Sequence, residues 1–232
     1  MTITSSHNEK LKEIRKLARR RARDERGRFV AEGEDLVAAA KAAGWSPVVV
    51  LAAAGSGLEG DEVEGSVLAG VSGLGSGTRQ LGIYESRFAA PAGPLCVALW
   101  GVGDPGNVGT ILRSARAFGA ASVALGPGCA DPYGPKAVRA SMGAIFEVPV
   151  AHVARVEELP GERVALVAHA GEPLAGPASG ELSLLVGAER SGLPDDVVAA
   201  CDRVAHIPIA GESLNAAMAA TVALYELRMA RS

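Results

Sequence analysis

From Leu95 onward the chain alternates short apolar runs with stretches of helical period, and this alternation limits the possible folds more than any other feature. The runs span Leu95 to Trp100, Ser122 to Leu125, Glu147 to Val150, Arg163 to Ala168, Leu182 to Val186 and Arg203 to Ile207. Apolar strands of this kind must be covered on both faces, and the helices between them supply the cover. The pattern therefore predicts an α/β fold with a mostly parallel sheet. Helices are expected over Asn107 to Phe118, Pro135 to Gly143 and about Ser213 to Arg228. In the first, Val108, Ile111, Leu112, Ala115 and Phe118 form one stripe, Asn107 reads as the N-cap and Gly119 as the stop.

The front of the chain reads differently. One helix is expected from Glu9 to about Arg26 and a second from Gly33 to Ala43, followed by strands Val48 to Leu51 and Gln80 to Tyr84. Residues 55–77 hold eight glycines and predict weak helix and loop. Ala89 to Pro94 has linker composition, so residues 1–88 and 95–232 are taken as two domains joined by 89–94. No internal repeat is visible.

With 232 residues, 48% of them hydrophobic, both parts can bury a core. The longest apolar runs fall far short of the ~20 residues a membrane helix needs. Met1 to Lys10 is polar, so no secretory leader is expected. Cys96, Cys129 and Cys201 are odd in number and far apart, and they read as small buried hydrophobes in a reducing cytosol; the four histidines are equally scattered, and no metal site is expected. The net charge is −3, yet residues 10–28 carry ten Lys and Arg against Glu13, Asp24 and Glu25, a local +7 on a body of −10. Such segregation can attract phosphates or be a solvated helix face.

Three connections carry glycine or proline beside polar residues: Asp104 to Arg113, Gly187 to Pro194, and Ile207 to Asn215. Loops of that composition let backbone approach a ligand while presenting one or two side chains. Singly, each has an ordinary explanation. Asn107 would be a cap, Arg113 and Arg116 solvated, Glu189 a turn carboxylate, and Ser213-Leu214-Asn215 a helix start. Their joint occurrence in this order asks for more. Gly101 to Gly106 spells G-x-G-x-x-G after a strand, which raises a nicotinamide-linked oxidoreductase as an alternative. Two features count against it: no acidic residue follows the next strand at Leu125-Gly126-Pro127, and Pro105 removes a backbone donor.

The segments Asn107 to Gly119, Gly187-Ala188-Glu189 with Gly192-Leu193, and Ile207-Pro208-Ile209 with Ser213-Leu214-Asn215 resemble the SpoU/TrmH group of SPOUT-class RNA ribose 2′-O-methyltransferases. The resemblance covers residues 95–230. Arg15-Lys16-Leu17 and Phe29 to Gly33 look like the L30e-like substrate-binding domain of many members. It implies a trefoil-knotted catalytic domain that forms a homodimer, with a small N-terminal L30e-like α/β domain. The loop from Ile207 to Ser213 is about two residues shorter than usual, and Ala216-Ala217 stands where Val-Ser is common.

The implied reaction transfers a methyl from S-adenosylmethionine to a ribose 2′-hydroxyl of structured RNA, 23S ribosomal RNA first and transfer RNA as the alternative. Alignment of the reactants is worth ~7–11 kcal/mol and assistance to proton removal roughly 10²–10⁴-fold. By resemblance, Gly187, Ile207, Ile209 and Leu214 would line the cofactor pocket, touched also by the loop after Ala168. Asn107, Arg113, Glu189, Ser213 and Asn215 would surround the reacting oxygen. Arg113 would grip the neighbouring phosphate rather than act as a base, because a guanidinium keeps its proton. Arg15, Lys16, Arg19, Arg20, Arg23, Arg28 and Arg116 would hold RNA. Aromatics are only 4% of the chain, so capture is expected through phosphates rather than stacked bases, with steep salt dependence. Removing the first 28 residues should then weaken RNA affinity. The alanines of the last helix suit a dimer contact or a core equally. A non-catalytic RNA-binding protein on the same scaffold is the other alternative.

Overall fold

A computed structural model describes residues 2–73 and 77–228; residues 74–76 of the glycine-rich stretch and the terminal 229–232 lie outside the described residues. The front of the chain runs α1 (Glu9–Leu17), α2 (Arg20–Arg26), β1 (Arg28–Glu32), α3 (Glu34–Ala42), β2 (Val49–Ala53), β3 (Asp61–Val63), α4 (Gly65–Ala69) and β4 (Gln80–Glu85). Its four strands order as β1-β4-β2-β3. Leu11, Ile14 and Leu17 of α1 close one face of this sheet over Leu51, Val63, Leu81 and Ile83. The apolar spacing that predicts a helix therefore also builds the core. β3 arises inside the stretch expected to be weak helix and loop, where it pairs in parallel with β2.

The single helix expected from Glu9 to Arg26 is two helices. The break falls at Ala18-Arg19, where Arg19 is extended. Arg23 turns its guanidinium back onto the carbonyls of Leu17 and Ala18, at 2.8 and 3.1 Å, and so satisfies the end of α1. The break has no mark in the apolar pattern, because the periodic residues Leu11, Ile14 and Leu17 all belong to α1 and α2 offers Ala22 as its one apolar side chain.

The second sheet contains β5 (Leu95–Leu99), β6 (Ser122–Leu125), β7 (Val150–His152), β8 (Glu162–Leu166), β9 (Glu172–Pro173), β10 (Leu182–Val186) and β11 (Arg203–His206), with α5 (Pro105–Phe118), α6 (Pro135–Ser141), α7 (Asp195–Ala199) and α8 (Ala216–Leu227). The order is β7-β6-β5-β10-β8-β11-β9, and every pairing is parallel. The expected strand at Glu147 begins instead at Val150. Ala144–Phe146 form a 3-10 turn that carries Phe146 into the core. The short edge strand β9 had no counterpart in the sequence reading.

α5 starts two residues earlier than expected, on Pro105, and its N-cap is Asp104 rather than Asn107. The Asp104 carboxylate accepts the Asn107 backbone N–H at 3.0 Å, which leaves the Asn107 side chain for other use. Gly109 lets α5 lie against α6, since a Cβ there would meet the Ala137 carbonyl oxygen at 2.3 Å. The alanines of α8 pack inward: Ala216, Ala217, Ala220 and Ala223 are buried, and Ser114 on α5 meets Thr221 at 2.7 Å.

The two sheets share one continuous core. Phe29, Trp45 and Tyr84 from the front pack against Tyr133 and Phe146, and the Trp45 indole N–H donates to the Phe146 carbonyl at 2.8 Å. Arg23 reaches across to Asp131 at 2.7 Å, with both side chains almost wholly buried.

Candidate active site

At the carboxyl ends of β5, β8, β10 and β11 the chain turns into the loops singled out above, the position at which open parallel sheets bind ligands. A cavity of about 400 Å³ lies between them, lined by Leu166 to Ala168, Val186 to Leu193, Ile207, Ile209, Ser213, Leu214, Ala216 and Ala219. Gly187, Ile207, Ile209 and Leu214, the expected cofactor residues, all face it, and so do Glu189 and Ser213. The loop after β8 contributes as expected. Leu193, Ala216 and Ala219 were not anticipated. Leu193 was legible as the first apolar residue after the Gly192 turn, whereas the alanines face the cavity only because of where α8 starts.

The wall at Gly187 has no spare room. A Cβ there would lie 2.2–2.5 Å from the backbone of Gly192 and Leu193. The turn is closed by two backbone bonds between Ala188 and Gly192, at 3.1 and 3.0 Å. The result is a rigid rim of peptide groups over an apolar floor. That combination suits a flat heterocycle read by backbone donors and acceptors, and the volume falls in the range of small-ligand sites.

Three segments meet beside this cavity. The Asn215 Oδ1 caps α8, accepting from the N–H groups of Ala217 and Met218 at 2.9 and 3.3 Å. The Asn215 Nδ2 donates to the Asn107 Oδ1 at 3.2 Å, and the Asn107 Nδ2 donates to the Glu189 carboxylate. Every donor in this relay points toward Glu189, starting from the positive end of a helix, so each bond polarises the next. Asn215 is thus both the ordinary helix cap and a member of the site. On the outer side of the same turn, Lys136 donates to Asp104 at 2.7 Å. That bond, aided by the Asn107 N–H, holds the Asp104 carboxyl below its ordinary range.

Arg113 does not join this group. It stands six positions beyond Asn107, about 120° around the helix and about 9 Å along it. It is exposed, does not line the cavity, and has no ion-pair partner among the described residues. Arg116 is paired with Glu147 at 2.9 Å.

The basic residues of the front divide sharply. Arg23, expected to hold RNA, is buried on Leu17, Ala18 and Asp131 and has no surface to offer a phosphate. Arg28 is half-buried against Glu13, and Arg15 is exposed and donates to the Ser6 carbonyl. Arg20 and Arg21 pair within α2 at the surface. Lys16, Arg19 and Arg26 are exposed and have no ion-pair partner among the described residues. Among those residues no group of three or more His, Cys, Asp or Glu can hold a metal ion, and no helix is long and apolar enough to cross a membrane.

Residues 94–225 match the family model described as the SpoU rRNA Methylase family, and residues 8–74 match the MRM3-like substrate binding domain. The chain is 32% identical to the 23S rRNA (guanosine(2553)-2'-O)-methyltransferase RlmP of Bacillus subtilis, over 97% of this chain and 98% of that one. It is 38% identical to the 23S rRNA (uridine(2479)-2'-O)-methyltransferase of Streptomyces viridochromogenes, over 53% of this chain and 48% of that one. Its fold superposes on the AdoMet-bound rRNA methyltransferase of Sinorhizobium meliloti with a TM-score of 0.84, at 31% identity, covering 97% and 96% of the two chains. The SpoU methyltransferase AviRb of Streptomyces viridochromogenes in complex with AdoMet gives 0.84 at 26% identity, covering 95% and 97%. The chain belongs to the SpoU rRNA methylase family, and it is an S-adenosylmethionine-dependent RNA methyltransferase.

Proposed function

We propose that this enzyme methylates a ribose 2′-hydroxyl of 23S ribosomal RNA in the cytoplasm, with the hydroxyl placed beside Glu189. The observation that carries the reading is the Asn215–Asn107–Glu189 relay, which runs beside the apolar cavity and ends on Glu189 in its wall. When bound, S-adenosylmethionine supplies an electrophilic methyl on a sulfonium. The backbone of Gly187 to Leu193, with Ile207, Ile209 and Leu214, would hold it. Glu189, fixed by Asn107, accepts a hydrogen bond from the ribose hydroxyl and orients it for in-line attack. Ser213, which also lines the cavity, holds the neighbouring oxygen. Arg113, unpaired and outside the cavity, grips the adjoining phosphate as a two-pronged donor. The exposed cations Arg15, Lys16, Arg19, Arg20 and Arg26 gather the RNA, and front residues 1–88 act as the substrate-binding domain joined through 89–94.

The resemblance to RlmP over nearly the whole chain favours 23S RNA over transfer RNA. The reading also includes a homodimer, supported by the exposed apolar stripe Met218, Val222 and Tyr225 on α8, which are 57%, 40% and 54% exposed. The trefoil knot expected for the catalytic domain is supported by the strand order. The chain leaves β11, outside β8, and returns as α8 beside α5 and β10. Transfer of a tritiated methyl to an unmodified 23S transcript, with a transfer RNA pool as competitor, tests the substrate. Label appearing only in transfer RNA would overturn it.

A further inference from the structure

Phe88 is a large aromatic side chain held half out in water. It is 50% exposed, although the backbone on both sides of it is pinned. On one side the Tyr133 hydroxyl accepts from the Arg87 N–H at 3.1 Å and donates to the Arg87 carbonyl; on the other the Ala89 N–H donates to the Val150 carbonyl at 2.8 Å. The Phe88 ring lies on the exposed His152 imidazole with centroids 4.3 Å apart and meets Tyr133 edge-on at 5.3 Å. His152 and Tyr133 cover about half of the ring, and the other half leaves apolar area in water that a stacked base would cover.

Its position connects the two parts of the RNA-binding reading. His152 ends β7, and the row His152, Leu125, Leu99, Val186 crosses the sheet in register to the residue before Gly187. The ring pair therefore sits on the same rim as the cofactor cavity, three strand spacings or about 14 Å away. At its other side the Ser86 N–H donates to the Gly27 carbonyl at 2.8 Å, which brings Phe88 within two residues of the end of the basic helix α2. The ring pair is thus tied to the end of α2 on one side and to the cavity rim on the other, within reach of an RNA strand held by its phosphates on α2 and entering the cavity.

We propose that Phe88 and His152 form a stacking subsite for a nucleobase of the RNA substrate a few nucleotides from the methylated ribose. The proposal rests on the reading of α2 as the phosphate-binding face. A stacked base is worth ~5- to 150-fold in affinity and tolerates any base identity. Stacking releases no counterions, so its loss leaves the salt dependence of binding unchanged, whereas each lost phosphate contact lowers the slope by about one.

The test is filter binding of an unmodified 23S ribosomal RNA transcript across a salt series, with full-length Phe88→Leu, Phe88→Trp and Arg19→Ala. Leucine keeps apolar contact with Tyr133 but has no ring face. The expected result is about tenfold weaker binding for Phe88→Leu with a parallel salt line, near-native binding for Phe88→Trp, and a flatter line for Arg19→Ala. Native affinity in Phe88→Leu, or a loss that tryptophan does not restore, overturns the stacking subsite. A flatter line for Arg19→Ala with native Phe88→Leu affinity overturns it while leaving the α2 reading intact. No change in either variant removes both.

Discussion

Arginines at the front and at the back of this molecule look alike in sequence and do opposite work. In α2, Arg23 is sealed between helix carbonyls and Asp131, and three neighbours of the same type face water. In α5, Arg113 stands unpaired at the surface while Asn107, a smaller and neutral side chain on the same helix, is tied into the relay. A run of charge reports how many cations a segment holds. Only packing decides which of them are spent on the fold and which remain for a ligand.

The contrast can be broken most sharply at Arg113. Arg113→Ala is expected to abolish methylation, a loss well beyond ~10²-fold, while S-adenosylmethionine affinity measured by calorimetry stays near native. Collapse of cofactor affinity would place Arg113 in the cavity after all. Gly187→Ala should do the reverse. Its Cβ cannot fit against the Gly192 and Leu193 backbone, so cofactor binding falls and methylation falls with it, and native calorimetric affinity would refute a rigid rim.

The front half is tested by stability. Arg23→Met strands Asp131 in the interior and should cost about 3–5 kcal/mol in denaturant unfolding, whereas Arg19→Ala should fall within about 0.5 kcal/mol of native. Equal effects would erase the distinction between them. Deleting residues 1–28, which the sequence alone suggests as a test of RNA binding, also removes Leu11, Ile14 and Leu17 from the core and confounds the two roles.

The smallest effect belongs to a reference pair remote from both regions. Hydrogen bonds from Arg163, side chain first and then backbone, pull the Asp202 carboxyl from 3.8 to about 2. A carboxyl with a lowered folded value contributes its stability above the unfolded value and loses it as pH falls through the folded one. The contribution is therefore present above about pH 4 and lost as pH falls through about 2, so Asp202→Asn should lower the melting temperature slightly at neutral pH, converge with the native protein in strong acid, and flatten the profile between.

The parallel sheet was legible because continuous apolar strands have few other ways to be covered. Leu182–Val186 was bounded to the residue, and all six expected strands of the second half occur. The site segments were legible because backbone approach demands glycine and proline at fixed places. Two of the differences share one cause. Asn107 as the cap of α5 and an unbroken first helix both fail on which nearby side chain answers which backbone group: Asp104 caps the Asn107 N–H three residues on, and Arg23 closes α1 by reaching six residues back from α2. Nor do aromatic percentages show that Phe88 is held in water.

By itself the sequence determined which residues must be buried and where the chain must turn, since periodicity and backbone freedom are local properties. The tertiary structure alone decided which polar groups answer one another, because hydrogen bonds such as Asn107 to Glu189 and Arg23 to Asp131 span about a hundred residues of chain and exist only when the strands that carry them are side by side.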